Sequence, residues 1–298
     1  MLTNPKAERV RSVASLARRS VRARRGCFLA EGPQVVREAL VHRPELVTGL
    51  YVDREASAAG GPVGELVEAA EAAGITATPV TPAVMAAMCD TQTPQGIVAV
   101  CRMFDADLTS VLHEDDADVD TDADAEADAR IVPRPPRLLA VLAAVRDPGN
   151  AGTVIRGADA AGADAVLLTT DSVDPFNPKC VRATVGSLFH LPIVTGVPIE
   201  EVMDRLRGRG LRLLAADGGA TRSVEEVDLV TPHAWVFGNE ARGLPEAVRR
   251  RCDEVARIPL YGKAESLNLA MAATICLYAS ASAQHRPYAG HPAPGAAP

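Results

Sequence analysis

The sequence predicts an α/β protein of two domains, the second of them built on a mostly parallel sheet. Three observations carry this expectation. The chain has 298 residues, more than one small hydrophobic core usually holds. Short apolar runs with the length of buried strands alternate with helical stretches along most of it. The alternation is interrupted between residues 105 and 136, where Asp, Ala and Pro replace the apolar pattern.

The first domain, residues 1–104, begins with a basic segment ending near Arg25. An extended Cys27–Ala30, a helical Pro33–Val41, an extended Leu46–Val52 and a helix over Val63–Ala73 follow. Extended Thr76–Val80, a short helix near Pro82–Cys89 and extended Gly96–Met103 complete it. Residues 105–136 read as an acidic linker, too poor in apolar side chains to fold and stiffened by Pro133, Pro135 and Pro136. The second domain, residues 137–284, opens with the apolar Leu138–Val145, then a Gly-containing loop and a helix near Ala151–Ala161. Ala165–Thr169, Leu191–Val194, Leu211–Ala216, Ala234–Phe237 and Glu254–Ile258 supply its further strands. Leu267–Ala283 is uncharged, but Asn268, Thr274, Ser280 and Ser282 interrupt it and it falls short of the roughly 20 apolar residues of a membrane span. It is expected to be a buried helix, and the Pro- and Ala-rich tail, 285–298, to be disordered.

Hydrophobic residues make up 47% and charged residues 23% of the chain, a globular balance that excludes wholly disordered and collagen-like classes. The net charge of -7 conceals an uneven distribution. Residues 105–128 hold eleven acidic residues and no basic one, leaving +4 on the rest. Residues 1–25 carry eight Lys or Arg against Glu8 alone, a positive end that attracts phosphate at long range. The acidic stretch suits a solvated spacer; a competing expectation is that it mimics RNA and screens the basic end. Aromatics, at 3%, leave little material for a surface of stacked bases. The six cysteines are scattered without a C-x-x-C pair, so no metal ligand set and no disulfide framework is expected. Arg and Ser stand where a signal peptide would be apolar, which predicts a cytoplasmic protein without membrane association.

Three loops concentrate polar side chains at strand ends, where open α/β sheets bind ligands. Asp147-Pro-Gly-Asn-Ala-Gly-Thr-Val-Ile-Arg156 follows the first strand of the second domain. Its glycines permit a tight turn, Asn150 is suited to cap the helix, and Arg156 is either a solvated helix residue or one that reaches back to the same crevice. Phe237-Gly-Asn-Glu-Ala-Arg-Gly-Leu244 follows another apolar strand, with Pro245 suited to a first helical turn. Ile258-Pro-Leu-Tyr-Gly-Lys-Ala-Glu-Ser-Leu-Asn268 leads into the uncharged helix; Ser266 and Asn268 suit a cap or a rigidly held donor site.

Taken together and in this order, the loops resemble the three motifs of the SpoU/TrmH family of RNA 2'-O-ribose methyltransferases: D-P-x-N-x-G-x-x-x-R, G-x-E-x-x-G and I-P-x-x-G-x-x-x-S-L-N. Phe28-Leu-Ala-Glu-Gly-Pro33 is similar to the family's N-terminal substrate-binding domain, which itself resembles a ribosomal protein. The resemblance implies a C-terminal trefoil knot whose second and third motifs wrap S-adenosylmethionine, and a homodimer with its catalytic centre near the subunit interface. Carried over by motif, Gly238, Asn239, Ile258, Leu267 and Asn268 fall at cofactor positions. Asn150, Arg156, Glu240, Ser266 and Asn268 fall where the family places its catalytic set. Arg18, Arg19, Arg24 and Arg25 of the basic end, and Arg182 in a stretch similar to one branch of the family, are the expected RNA contacts. Two departures are apolar: Leu260 stands where Met is frequent, and Leu269-Ala270 where Val-Ser is common. The acidic insertion is unusually long.

The implied reaction is an in-line displacement in which alignment does much of the work. The family assigns activation of the hydroxyl to Arg156, yet a guanidinium is a costly base at neutral pH. Arg156 is therefore expected to bind the adjacent phosphate and stabilise developing alkoxide, the proton passing to water or phosphate. Ribosomal RNA is favoured by family analogy, with transfer RNA or a catalytically silent ribosome-assembly protein as alternatives. A nicotinamide-binding domain is the enzymatic rival, with Asp171 at a suitable spacing from Gly152. Pro148 in its turn and the missing G-x-G-x-x-G count against it, and it leaves the two later loops unexplained.

Overall fold

The structure is a computed structural model describing residues 1–113 and 135–285. Two short basic helices, α1 (Glu8–Ala14) and α2 (Arg19–Arg25), precede β1 (Cys27–Glu31) and α3 (Pro33–His42). Then come β2 (Val47–Asp53), α4 (Arg54–Ala58), α5 (Gly61–Ala72), β3 (Ala77–Val80), α6 (Pro82–Met88) and β4 (Ile97–Arg102). These strands form one sheet in the order β1-β4-β2-β3, with β2 parallel to β3 and the other pairs antiparallel. Gly26, at φ 61°, ends α2 in the left-handed conformation and lets β1 start at once. Strand alternation divides β1 between two cores: Phe28 and Ala30 pack under α3, and Leu29 faces the cluster containing Val10, Val84 and Met88.

The second unit contains α7 (Leu108–Val111), β5 (Leu138–Leu142), α8 (Pro148–Ala160), β6 (Ala165–Thr169), α9 (Pro178–Thr184), β7 (Ile193–Val197) and α10 (Ile199–Gly208). It continues with β8 (Arg212–Ala216), β9 (Arg222–Ser223), β10 (His233–Phe237), α11 (Glu246–Arg250), β11 (Glu254–Arg257) and α12 (Leu269–His285). The sheet order is β7-β6-β5-β10-β8-β11-β9, and every neighbouring pair is parallel. In β5, Leu138, Ala140 and Leu142 face one core while Leu139 and Val141 face the other. Burial on both faces explains its unbroken apolar run. The pairing of β5 with β10 sets the ends of the first two polar loops side by side.

One expectation changes. The linker was expected to start at residue 105, but Asp107 caps α7, and Leu108, Val111 and Leu112 are buried in the second core. Three apolar residues suffice to seat one helical turn, although the surrounding acids dominate the composition. The rest of that linker, 114–134, and the tail from 286 lie outside the described residues. One arginine of the basic segment is buried. Arg22 is 1% exposed, donates to the Leu16 and Ala17 carbonyls and forms an ion pair of 2.6 Å with Asp174 of the second domain. Arg18, Arg19, Arg24 and Arg25 are exposed.

The domains meet over apolar surface. Phe28 and Phe104 interleave with Phe176 and Phe189, with ring centroids 4.9 Å apart for Phe28 and Phe176 and 5.5 Å for Phe104 and Phe176. Four of the five phenylalanines of this aromatic-poor chain are thus spent at the junction. Arg182 of α9 crosses the same boundary to Glu31 (2.9 Å) and Asp90 (3.1 Å).

Helix α12 packs against α8, β5 and β10, and its polar residues have structural partners. A Cβ at Gly157 of α8 would come within 2.7 Å of Thr274 Oγ1, so glycine sets the approach of the two helices. Ser280 Oγ accepts from Trp235 Nε1 at 2.8 Å and lies 2.7 Å from His233 Nε2. His233 Nδ1 faces the Thr231 carbonyl at 2.7 Å, which can only accept, so Nδ1 carries the proton and Nε2 accepts from Ser280. Burial pushes His233 below the usual imidazole range and keeps it neutral. Among the described residues no helix is long and apolar enough to cross a membrane.

Candidate active site

The first loop leaves β5 through Ala144, whose φ of 57° turns the chain sharply. Asp147, and not Asn150, caps α8: its Oδ1 accepts from the Asn150 amide at 2.8 Å, with Pro148 in the first turn. This corrects the expected cap. The Asn150 side chain is thereby released from the backbone and available to the site. Lys179 lies 3.0 Å from Asp147 Oδ2, and the Asn150 amide followed by this ammonium holds the Asp147 carboxyl below its usual range. A Cβ at Gly152 would overlap the Cys180 carbonyl oxygen, so this glycine serves the contact between α8 and α9.

In the second loop, Asn239 and Gly243 exchange backbone hydrogen bonds of 3.1 and 2.8 Å, with Gly243 at φ 63°. Asn239 Oδ1 accepts from the Ala241 amide, and its Nδ2 donates to the Ala144 carbonyl at 2.9 Å, pinning the second loop to the first. A Cβ on Gly238 would overlap the backbone of Gly243 and Leu244. Glu240 receives the Arg146 amide at 3.2 Å, the Asp147 amide at 3.0 Å and Asn150 Nδ2 at 3.3 Å. Burial raises its affinity for a proton, but these hydrogen bonds outweigh burial and hold the carboxyl below its usual range.

The third loop closes the set. Asn268 Nδ2 donates to Asn150 Oδ1 at 2.9 Å, while Asn268 Oδ1 caps α12 by accepting from Ala270 and Met271. Each amide orientation follows from chemistry: the Glu240 carboxylate can only accept, so Asn150 presents its nitrogen to Glu240 and its oxygen to Asn268. One side-chain relay, Glu240 to Asn150 to Asn268, therefore joins all three motifs.

Beside it lies a cavity of about 500 Å³, within the size range of small-molecule sites. Gly238, Asn239, Ile258 and Leu267 line it; Asn268 stands in the relay and not in the wall. Ser266 lines the cavity, is exposed and makes no hydrogen bond among the described residues. Arg156 is exposed on α8 and has no ion pair or hydrogen bond among them. Arg182 is drawn away from the expected RNA contact, because its charge is spent on Glu31 and Asp90. Asp217 and Gly218, at the end of β8, also line the cavity and were not expected. Their signal was an Asp-Gly-Gly turn after an apolar strand, which a surface turn explains equally well in sequence.

The profile of the SpoU rRNA Methylase family matches residues 137–278, and that of the MRM3-like substrate binding domain residues 7–99. A 23S rRNA (guanosine(2553)-2'-O)-methyltransferase of Bacillus subtilis is 32% identical over 93% of this chain and 97% of its own length. The chain belongs to the SpoU family. Among solved structures similar to this SpoU methyltransferase is AviRb from Streptomyces viridochromogenes in complex with the cofactor AdoMet. Its TM-score is 0.76 and its identity 29%, over 93% of this chain and 97% of that one. An AdoMet-bound rRNA methyltransferase from Sinorhizobium meliloti has TM-score 0.75 and identity 28%, over 94% and 96%. The C-terminal domain has the trefoil-knotted fold of this class, and its cofactor is S-adenosylmethionine. The cavity fits that molecule in kind. Ile258, Leu260 and Leu267 offer apolar wall, and the turn 238–243, held tight by the close approach of Gly238 to Gly243 and Leu244, offers backbone polar groups.

Replacing Glu240 by Gln puts an amide donor against backbone donors and is expected to lower stability by about 1 kcal/mol at neutral pH. The sign with pH is fixed by the lowered carboxyl. Its stabilisation is complete above the unfolded value of 4.5 and is lost as pH falls through the folded value below it. Thermal melts of wild type and Glu240→Gln between pH 7 and pH 3 should therefore converge only below about pH 4.5. A gap that closed already near pH 6 would contradict this assignment.

Proposed function

We propose that this SpoU methyltransferase transfers the methyl group of S-adenosylmethionine to a ribose 2'-hydroxyl of ribosomal RNA in the cytoplasm. The observation that carries the reading is the Glu240–Asn150–Asn268 relay beside the cavity of about 500 Å³. The cofactor, when bound, supplies an electrophilic sulfonium methyl. The protein's task is alignment: Gly238, Asn239, Ile258 and Leu267 hold the cofactor, and the relay fixes the first turn of α8 relative to the other two loops. Arg156, uncommitted to any protein partner among the described residues, binds the phosphate next to the reacting ribose and stabilises negative charge as the hydroxyl loses its proton to water or phosphate. Ser266, exposed at the cavity edge, contacts the cofactor or ribose.

Arg18, Arg19, Arg24 and Arg25 form the electrostatic grip of the substrate-binding domain on RNA. Arg182 is a positioning residue that holds this domain against the methyltransferase domain. Ribosomal RNA as the substrate is supported by the Bacillus subtilis relative named for 23S rRNA. The working unit is a homodimer: Met271, Ile275 and Tyr278 of α12, at i, i+4 and i+7, form an exposed apolar stripe. Ile275→Asp is expected to give a monomer by light scattering at micromolar concentration; a wild-type chain already monomeric there would discard the dimer.

The deciding assay follows label from radioactive S-adenosylmethionine into ribosomal and transfer RNA pools stripped of existing modification. Label recovered as an alkali-resistant dinucleotide from ribosomal RNA is the expected result. Label in transfer RNA alone would replace the substrate class, and cofactor binding without transfer to either pool or to assembled subunits would leave an RNA-binding protein.

A further inference from the structure

A second constellation stands at the domain junction. Glu38 and His42 lie one turn apart on α3, a spacing that places both side chains on one helix face. His190 of the second domain, after the short helical turn Ser187–Phe189, meets them from the other side. Both imidazoles converge on one oxygen: His42 Nε2 is 3.3 Å and His190 Nε2 3.1 Å from Glu38 Oε2. The ligand atoms of the three residues all lie within 4.8 Å of one another. Behind His190, its Nδ1 is 2.8 Å from Asp159 Oδ2 on α8.

Hydrogen-bond chemistry shows what this arrangement suits. The Asp159 carboxylate only accepts, so His190 Nδ1 carries a proton toward it, and a neutral His190 turns its Nε2 lone pair toward the Glu38 carboxylate. With a proton on Nε2 this 3.1 Å contact is an ion pair; with Nε2 unprotonated the two atoms stand side by side as ligand atoms for a metal cation that displaces the proton. In a tetrahedral zinc site with bonds of about 2.0–2.1 Å, neighbouring ligand atoms are about 3.3 Å apart. The two separations from Glu38 match that edge closely. A carboxylate on the far nitrogen of a ligating histidine is also the usual outer support of such sites, fixing tautomer and ring orientation.

We infer that Glu38, His42 and His190 form a binding site for a divalent transition-metal ion of the zinc type, tying the substrate-binding domain to the methyltransferase domain, with Asp159 orienting His190. Imidazole with carboxylate suits zinc, and three protein ligands leave one position for water. His42, 46% exposed, leaves the ion a path of entry. Arg156 precedes Asp159 by three residues on α8, so the tie also steadies the helix that presents it. No cysteine takes part, and the two histidines are 148 residues apart, which is why no ligand spacing was visible in sequence.

The test uses the full chain after treatment with a chelator and removal of the chelator, titrated with Zn²⁺ alone against a chromophoric competitor. One equivalent should bind with micromolar or tighter affinity. His42→Ala and His190→Ala should each weaken binding at least 100-fold, and Asp159→Asn, which spares all three ligands, about 10- to 100-fold. His285→Ala, at the end of α12, should leave it unchanged. Bound Co²⁺ should show visible bands without thiolate charge transfer, separating this site from the cysteines. Absence of binding, thiolate coordination, or affinity indifferent to His42 and His190 would each overturn the inference.

Discussion

Arg156→Ala is expected to lower the single-turnover rate of methyl transfer at least 100-fold while leaving the affinity for S-adenosylmethionine within about twofold. Removing one preorganised group that stabilises transition-state charge costs about 10²- to 10³-fold in turnover. Cofactor affinity should survive, because Arg156 does not line the cavity and makes no ion pair among the described residues whose loss would disturb the loops. Arg156→Lys keeps the charge but not the planar fork, so it should retain partial activity with weakened RNA binding. Rates from rapid-quench transfer and affinities from calorimetry separate the two effects. Unchanged turnover in Arg156→Ala would remove this residue from the chemistry.

The second large effect is expected at Gly238. An added Cβ there meets backbone atoms of Gly243 and Leu244, not the flexible end of a side chain, so no rotamer change relieves the overlap. The turn that lines the cavity must shift, and Gly238→Ala should weaken cofactor binding at least about 100-fold, or about 2.7 kcal/mol. Gly208→Ala is the comparison: Gly208 ends α10, a Cβ there meets nothing within 4 Å, and it is absent from the cavity wall. Calorimetric titration of both variants checks the contrast, and equal affinities would show that the turn yields without cost.

Much of this architecture was legible because burial writes itself into composition. Ala165–Thr169 reads as a strand to the residue, since a strand covered on both faces is apolar throughout. The three polar loops were legible as motifs, and the structure brings Asn150, Glu240 and Asn268 into one relay. What stayed hidden depends on long-range partners. Arg22 reads like its basic neighbours until Asp174, 152 residues on, is placed beside it. Asn150 and Asp147 are both good capping residues, and only the turn geometry awards the cap to Asp147. Leu108, Val111 and Leu112 were masked by the acids around them, although one turn of helix needs only a few apolar contacts to dock. Arg182 looked free because neither Glu31 nor Asp90 is near it in the chain.

Helix α12 has a consequence for the order in which the hydrogen-bonded relay is assembled during synthesis. The hydroxyl of Ser280 receives the indole of Trp235 and serves His233, both in the central strand β10, and Asn268 at the start of α12 completes the relay with Asn150. A nascent chain that has emerged only as far as β11 has the Asn150 loop and the turn 238–243, but leaves the Trp235 donor and the His233 acceptor unpaired and the relay open at one end. The relay is therefore completed only once α12 has emerged. A product cut short before α12 would hold the first two motifs with the hydrogen-bonded relay incomplete.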